Sequence, residues 1–150
     1  MKIRGVRDSD VVTLVELGEA FWYSTPLSKV MPYNAQTVYD LVRHTPDSGF
    51  ILVADDEGTI AGFVLVLVAP FHFNTDYKAA TEIAWYVHPE YRGEGVGESL
   101  REAAEAMALT QGATFLSMML ITGTEGEAAA REQYTSQGYT KSEETFVKVL

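Results

Sequence analysis

The chain has 150 residues, 47% hydrophobic and 21% charged, an ordinary composition for one soluble domain with a real core. Its net charge of −10 excludes the basic footprint that general nucleic-acid binding needs. With no Cys it has no disulfide, thiolate metal ligand or cysteine nucleophile, and its longest apolar run, 60–70, is too short to span a membrane. The opening residues 1–5 lack signal-peptide character, so a cytoplasmic protein is expected.

A short strand is predicted over 3–7, ended by Asp8, Ser9 and Asp10, residue types that cap helices. The spacing of Leu14, Leu17, Phe21 and Trp22 predicts a first helix, stopped at Thr25-Pro26. Residues 23–34 read as a loop, and Asn34 is placed to cap a second helix with Val38, Leu41 and Val42 inside. Runs 50–54 and 59–69 flank Asp55-Asp56-Glu57-Gly58 and predict a β-hairpin. Its second arm is apolar at every position from Phe63 to Val68, as in a strand covered on both faces. An aromatic-rich connection, 70–78, leads to an extended run at 82–87.

That run meets Tyr91-Arg92-Gly93-Glu94-Gly95-Val96-Gly97, and a helix is predicted over 98–111. A strand, a glycine turn and a helix N-terminus make an anion site, because the first helical N–H groups lack internal partners and the macrodipole adds positive charge. Glycines at 93, 95 and 97 clear side chains from those groups, and Arg92 adds a cation suited to phosphate. A pyrophosphate cradle is expected. The Walker A pattern fails, since Gly97 is followed by Glu98-Ser99, and the dinucleotide fingerprint lacks its third glycine in either register. Glu94 and Glu98 should point outward while their N–H groups face the anion. Downstream, a buried strand is predicted over 114–120, a helix over 127–137 and a closing strand over 145–150.

Arg92-x-x-Gly95-x-Gly97, preceded by Val87-His88-Pro89, resembles motif A of the GCN5-related N-acetyltransferase (GNAT) family. The hairpin 52–63 and Tyr134-x-x-x-Gly138-Tyr139 resemble further family segments in the same order. The resemblance implies a single α/β (α+β) domain over 1–150, a mixed and mostly antiparallel sheet with helices on both faces. It also implies acetyl-CoA as co-substrate, with Tyr86, Val87, Arg92, Gly93, Glu94, Gly95, Val96, Gly97, Glu98, Glu127 and Arg131 as its binding residues. Family members often carry Asn where Glu127 stands; a carboxylate cannot donate, so that contact departs from the pattern.

Acetyl transfer to an amine needs a polarised carbonyl, a neutral amine and a protonated leaving thiolate. Backbone N–H groups near Tyr86-Val87 could polarise the carbonyl if the strand bulges there. Glu82, at the start of the motif strand, is the candidate base, against the plain alternative of a surface acid. Tyr134 is the candidate acid, against that of a packed aromatic. The expected acceptor is a small-molecule or peptide amine reached between loop 23–34 and the 71–77 connection, with Glu82 open at the end of the latter. A homodimer is left open. Two other classes stay beside the enzyme: an acyl-CoA-binding module without turnover, and an acidic protein that engages a basic partner.

Overall fold

The apolar runs flanking residues 55–58 form the predicted hairpin. In the computed structural model, which describes residues 1–150, β2 (Gly49–Asp56) and β3 (Thr59–Phe71) pair antiparallel about a turn at Glu57-Gly58. Both turn residues have positive φ, the combination whose twist matches the strands it joins. β1 (Lys2–Gly5) pairs antiparallel with β2, and β4 (Asn74–Val87) antiparallel with β3. β5 (Ala113–Ser117) runs parallel to β4 at the sheet edge, so the order is β1-β2-β3-β4-β5.

Four helices cover the two faces. α1 (Val11–Tyr23) and α2 (Ala35–His44) bury Val11, Leu14 and Val42 against Ile51, Val53, Phe63, Leu65 and Tyr86. On the opposite face α3 (Val96–Thr110) buries Leu100, Ala104 and Ala108 against Leu52, Val64, Val66 and Ala80. α4 (Glu127–Ser136) lies on the α3 side, where its one buried residue, Tyr134, stacks near Trp85 at 5.9 Å between ring centroids. β3 serves both cores at once, which is why its sequence shows no polar alternation. Each fully buried valine there contributes about 1.5–3 kcal/mol.

The local signals hold at α2, where the Asn34 side chain accepts from the Thr37 N–H at 2.8 Å. At α1 they work differently. Asp8–Asp10 form a 3-10 turn, and the buried Asp10 carboxylate accepts from Arg4 at 2.6 Å and from the Arg7 N–H at 2.7 Å. Arg4 also donates to Asp55 at 2.6 Å, tying β1, β2 and the α1 start together.

Three expectations are corrected. The connection 70–78 shrinks to a turn at His72-Phe73, because β3 and β4 stay paired as far as Phe71↔Asn74. β5 stops at Ser117 instead of reaching 120, since the chain there diverges from β4. Residues 145–150 alternate like a strand but form none, because no neighbour pairs with them.

Candidate active site

β4 and β5 pair only from Lys78 to Thr81, opposite Ala113–Ser117, and then separate. Glu82 stands where they part. Its carboxylate accepts from the Met119 N–H at 2.8 Å, and the Tyr134 hydroxyl donates to the Met119 carbonyl at 2.9 Å. One residue beyond β5, Met119, thus links the two candidate catalytic side chains at the closed end of the fork.

A β-bulge aims this region. Leu65 pairs with Ala84 and Val66 with Glu82, leaving Ile83 as the extra residue. Before the bulge, Ala80 and Glu82 share the α3 face with Val66; after it, Trp85 and Val87 take that face, while Ile83, Ala84 and Tyr86 lie on the α1/α2 side. The expected bulge at Tyr86-Val87 is therefore misplaced by three residues: pairing there is regular, Phe63↔Tyr86 and Gly62↔Val87. The Val87 N–H still reaches the open edge, by strand alternation. The His88 N–H donates across to Ala61 at 2.9 Å, so Val87 turns its N–H and carbonyl the other way, toward the fork.

Glu82 is not the open acid expected at a loop end. It is only 3% exposed, and burial raises its pKa to about 7, partly offset by the Met119 N–H. The Tyr134 phenol is also pushed up, first by burial and then by the Glu82 charge, so it stays protonated at all ordinary pH values.

At the open end, Arg92 bridges the gap. Its Nε donates to the Val87 carbonyl at 3.0 Å, a terminal nitrogen pairs with Glu125 at 2.8 Å, and its guanidinium lies 5.8 Å from the Tyr86 ring centroid. Gly93 and Gly95 have φ of +81° and +77°, and a Cβ at either would meet no protein atom. Their requirement is conformational, with the space beside them left free. Gly97 differs: it has no positive φ, and a Cβ there would come within 3.2 Å of the Trp85 ring and 3.6 Å of Val87 and Gln133. Residues 93–98 donate no backbone hydrogen bond inside the chain, so a run of N–H groups fronts α3. The side chains of Glu94 and Glu98 are exposed, as expected, and Val96 is core.

Glu127 is used internally. Its carboxylate accepts from the Gly123 N–H at 2.8 Å and from Arg131 at 2.9 Å, which fastens the loop before α4. Both N–H contacts hold its pKa below the ordinary carboxylate range, Gly123 first. Met119, Gln133 and Glu125 belong to the site and carry no local sequence signal; Met119 in particular is half exposed and acts through its backbone instead of packing inward.

On the α1/α2 side, Pro26 approaches Gly123, so the loop before α2 meets the loop before α4 beside the fork. The β3–β4 tip does not join them. Asn74 is eight residues of strand from Glu82, roughly 26 Å at ~3.3 Å per residue, and Phe71 packs on Phe115 at 5.4 Å instead. The acceptor boundary expected at 71–77 is corrected accordingly.

Among solved structures the chain resembles a ribosomal-protein-alanine N-acetyltransferase from Brucella melitensis biovar Abortus 2308, with TM-score 0.75, 16% identity and all of both chains covered. It also resembles the aminoglycoside N-acetyltransferase AAC(6')-Iy in complex with CoA, with TM-score 0.77 and 12% identity over 99% of this chain and 93% of that one. A transcriptional regulator from Bacillus halodurans C-125 is similar at TM-score 0.76 and 19% identity over 99% of each chain. At such identities these likenesses speak for the fold. No curated protein matches the sequence. The sequence profile of the acetyltransferase (GNAT) family, however, matches residues 14–139, most of the chain and every element that builds the fork. The protein belongs to the GNAT acetyltransferase family.

Proposed function

We propose that the protein is an acetyl-CoA-dependent N-acetyltransferase that moves the acetyl group from the thioester to an amine of a small molecule or peptide. The observation that carries this reading is the fork itself. Free N–H groups over 93–98 stand at its open end, and Glu82 and Tyr134 meet on Met119 at its closed end. The fit to a pyrophosphate is chemical: backbone donors, a helix N-terminus and Arg92, with Glu94 and Glu98 exposed and Glu125 held on the Arg92 guanidinium.

In this mechanism the outward Val87 N–H polarises the thioester carbonyl. The amine attacks, the carbon–nitrogen bond forms as the carbon–sulfur bond breaks, and the leaving thiolate takes the Tyr134 proton. Glu82 faces the α3 side and reaches the amine proton through water. A carboxylate with a pKa near 7 suits that task, because an alkylamine of pKa about 10.4 is only about one part in a thousand neutral at pH 7. The acceptor enters beside Pro26 and Gly123 on the α1/α2 side. Mass spectrometry of amines, polyamines and peptides incubated with acetyl-CoA tests the reading. Coenzyme binding without any acetylated product would favour the non-catalytic acyl-CoA-binding module, and no binding would favour an interaction protein.

Two predictions concern its carboxylates. Arg92 must exchange Glu125 for phosphate, and an exposed pair of this kind is worth about 0–1 kcal/mol. Glu125→Gln should therefore tighten acetyl-CoA binding by up to about fivefold. Calorimetry giving weaker binding would mean that Glu125 supports the site instead of competing with it.

Glu82→Gln should reduce kcat/KM most at neutral pH and least at high pH, where the amine supplies its own neutral fraction; a wild-type pH profile in the variant removes Glu82 as base. Stability gives an independent sign. The folded pKa is raised from 4.5, so the contribution of the protonated acid is complete below about 4.5 and lost as pH rises through about 7. Wild-type Tm should fall across that window relative to the Gln variant, which has nothing to titrate.

A further inference from the structure

The stripe of α3 that meets the end of α4 is not apolar. Gly97, Arg101 and Glu105 stand four residues apart on one side of the helix. At one end, a Cβ on Gly97 would come within 3.2 Å of the Trp85 ring; at the other, Glu105 accepts from the Tyr139 hydroxyl at 2.7 Å. Tyr134 is stacked near those same two rings, 5.9 Å from Trp85 and 5.2 Å from Tyr139 between centroids. Arg101, the middle of the stripe, therefore faces Tyr134.

Its guanidinium is a buried cation that its partners match only in part. The side chain is 1% exposed and stays charged at every ordinary pH. Glu105 and Glu102, which pair with it, are 42% and 61% exposed, so water screens them. The buried Arg101 Nε has no hydrogen-bond partner at all. A charge held this way is costly, and an apolar side chain in its place often leaves a protein no less stable. Packing alone gives no reason for a cation here.

The acid chemistry does. A thiol has a pKa of about 8.5 and a phenol one of about 10, so a proton moving from Tyr134 to a coenzyme sulfur goes uphill. Burial, the Glu82 charge and Tyr139 steepen the climb, in that order, and Arg101 opposes them. The charged and titratable groups facing the phenol are Glu82 from β4, Arg101 and Glu105 from α3, and Tyr139 beyond α4.

We propose that Arg101 is a positioning residue for the Tyr134 acid, its buried charge stabilising the phenolate left when the sulfur takes the proton. The inference rests on the acetyl-transfer reading. The sulfur gains the proton that Tyr134 loses, and the proton given up by the amine restores the phenol.

Titration tests the coupling without any substrate. With a fluorinated tyrosine at position 134, whose phenol titrates in the ordinary pH range, fluorine NMR should place the midpoint about one pH unit higher in Arg101→Met. Glu105→Gln, which can still accept from Tyr139, should move it the other way, and Arg101→Lys should hold it near the wild-type value. In the enzyme with its natural tyrosine, Arg101→Met should lower kcat by about three- to tenfold, with KM for acetyl-CoA within about twofold and Tm no lower than wild type. A merely structural Arg101 would lower Tm together with kcat and leave the midpoint alone. A midpoint that stays or falls in Arg101→Met overturns the proposal. Should that variant misfold, Glu105→Gln decides, and a midpoint that stays or rises there overturns it equally. Failure of the acetyl-transfer reading shows itself separately, as a wild type that forms no acetylated amine while the midpoint still follows Arg101.

Discussion

Tyr134→Phe is expected to lower kcat by about 10²–10⁴-fold while acetyl-CoA affinity stays within about twofold, the pattern of a lost general acid. The ring remains, so its stacking near Trp85 and Tyr139 survives; what disappears is one hydroxyl and its bond to the Met119 carbonyl. That bond is partly buried, and its loss should cost about 1 kcal/mol of stability, too little to unfold the protein. Because burial and Glu82 hold the phenol's pKa well up, the wild-type rate should show no alkaline limb from Tyr134. Steady-state kinetics beside calorimetry separate the two effects. A variant with wild-type turnover on its true acceptor would reduce Tyr134 to a packing residue.

Gly95→Val should abolish useful coenzyme binding, raising Kd by about 10²-fold or more, equivalent to about 2.7 kcal/mol. Two causes add. At φ of +77° a β-branched residue is strained by about 1–3 kcal/mol, and its methyl groups project into the space before the free N–H groups. No protein atom lies within 4 Å of the new Cβ, so the fold itself should tolerate the substitution with a fall in Tm of a few degrees. A folded Gly95→Val protein that binds acetyl-CoA with wild-type affinity would show that the anion sits elsewhere.

The parts of this molecule that could be read from sequence are those whose causes are local. Asn34 caps the helix beside it, Glu57-Gly58 turns the hairpin, and the glycines at 93 and 95 supply the positive φ that opens α3. The bulge could not be seen, because Glu82-Ile83-Ala84-Trp85-Tyr86-Val87 is nearly all apolar and its change of face leaves no trace in the pattern. Glu82 looked like an edge acid because nothing local marks its burial, and the hydrogen-bond partner of its carboxylate, Met119, is 37 residues away. Arg92 and Glu125 are 33 residues apart, and neither predicts the other. At residues 145–150 the local signal was sound and the partner was missing, since a strand is a property of two segments.

The extra residue at Ile83 divides β4 into two lengths of opposite parity. Upstream, even-numbered residues look toward α3; downstream, odd-numbered ones do. Deleting Ile83 would restore regular alternation, with Glu82 opposite Val66 and Ala84 opposite Leu65, and every later residue would keep its partner and its face. Trp85, Val87 and the N–H that reaches the fork would stay where they are, and what would go is the local kink and added twist beside Glu82. The hairpin tip at His72-Phe73 carries no such phase and could gain or lose residues in pairs without disturbing the fork. Length in this protein is thus variable in pairs at one end of β4 and by a single residue at the other, and a relative lacking that residue would keep its chemistry on the same side of the sheet, on a straighter strand.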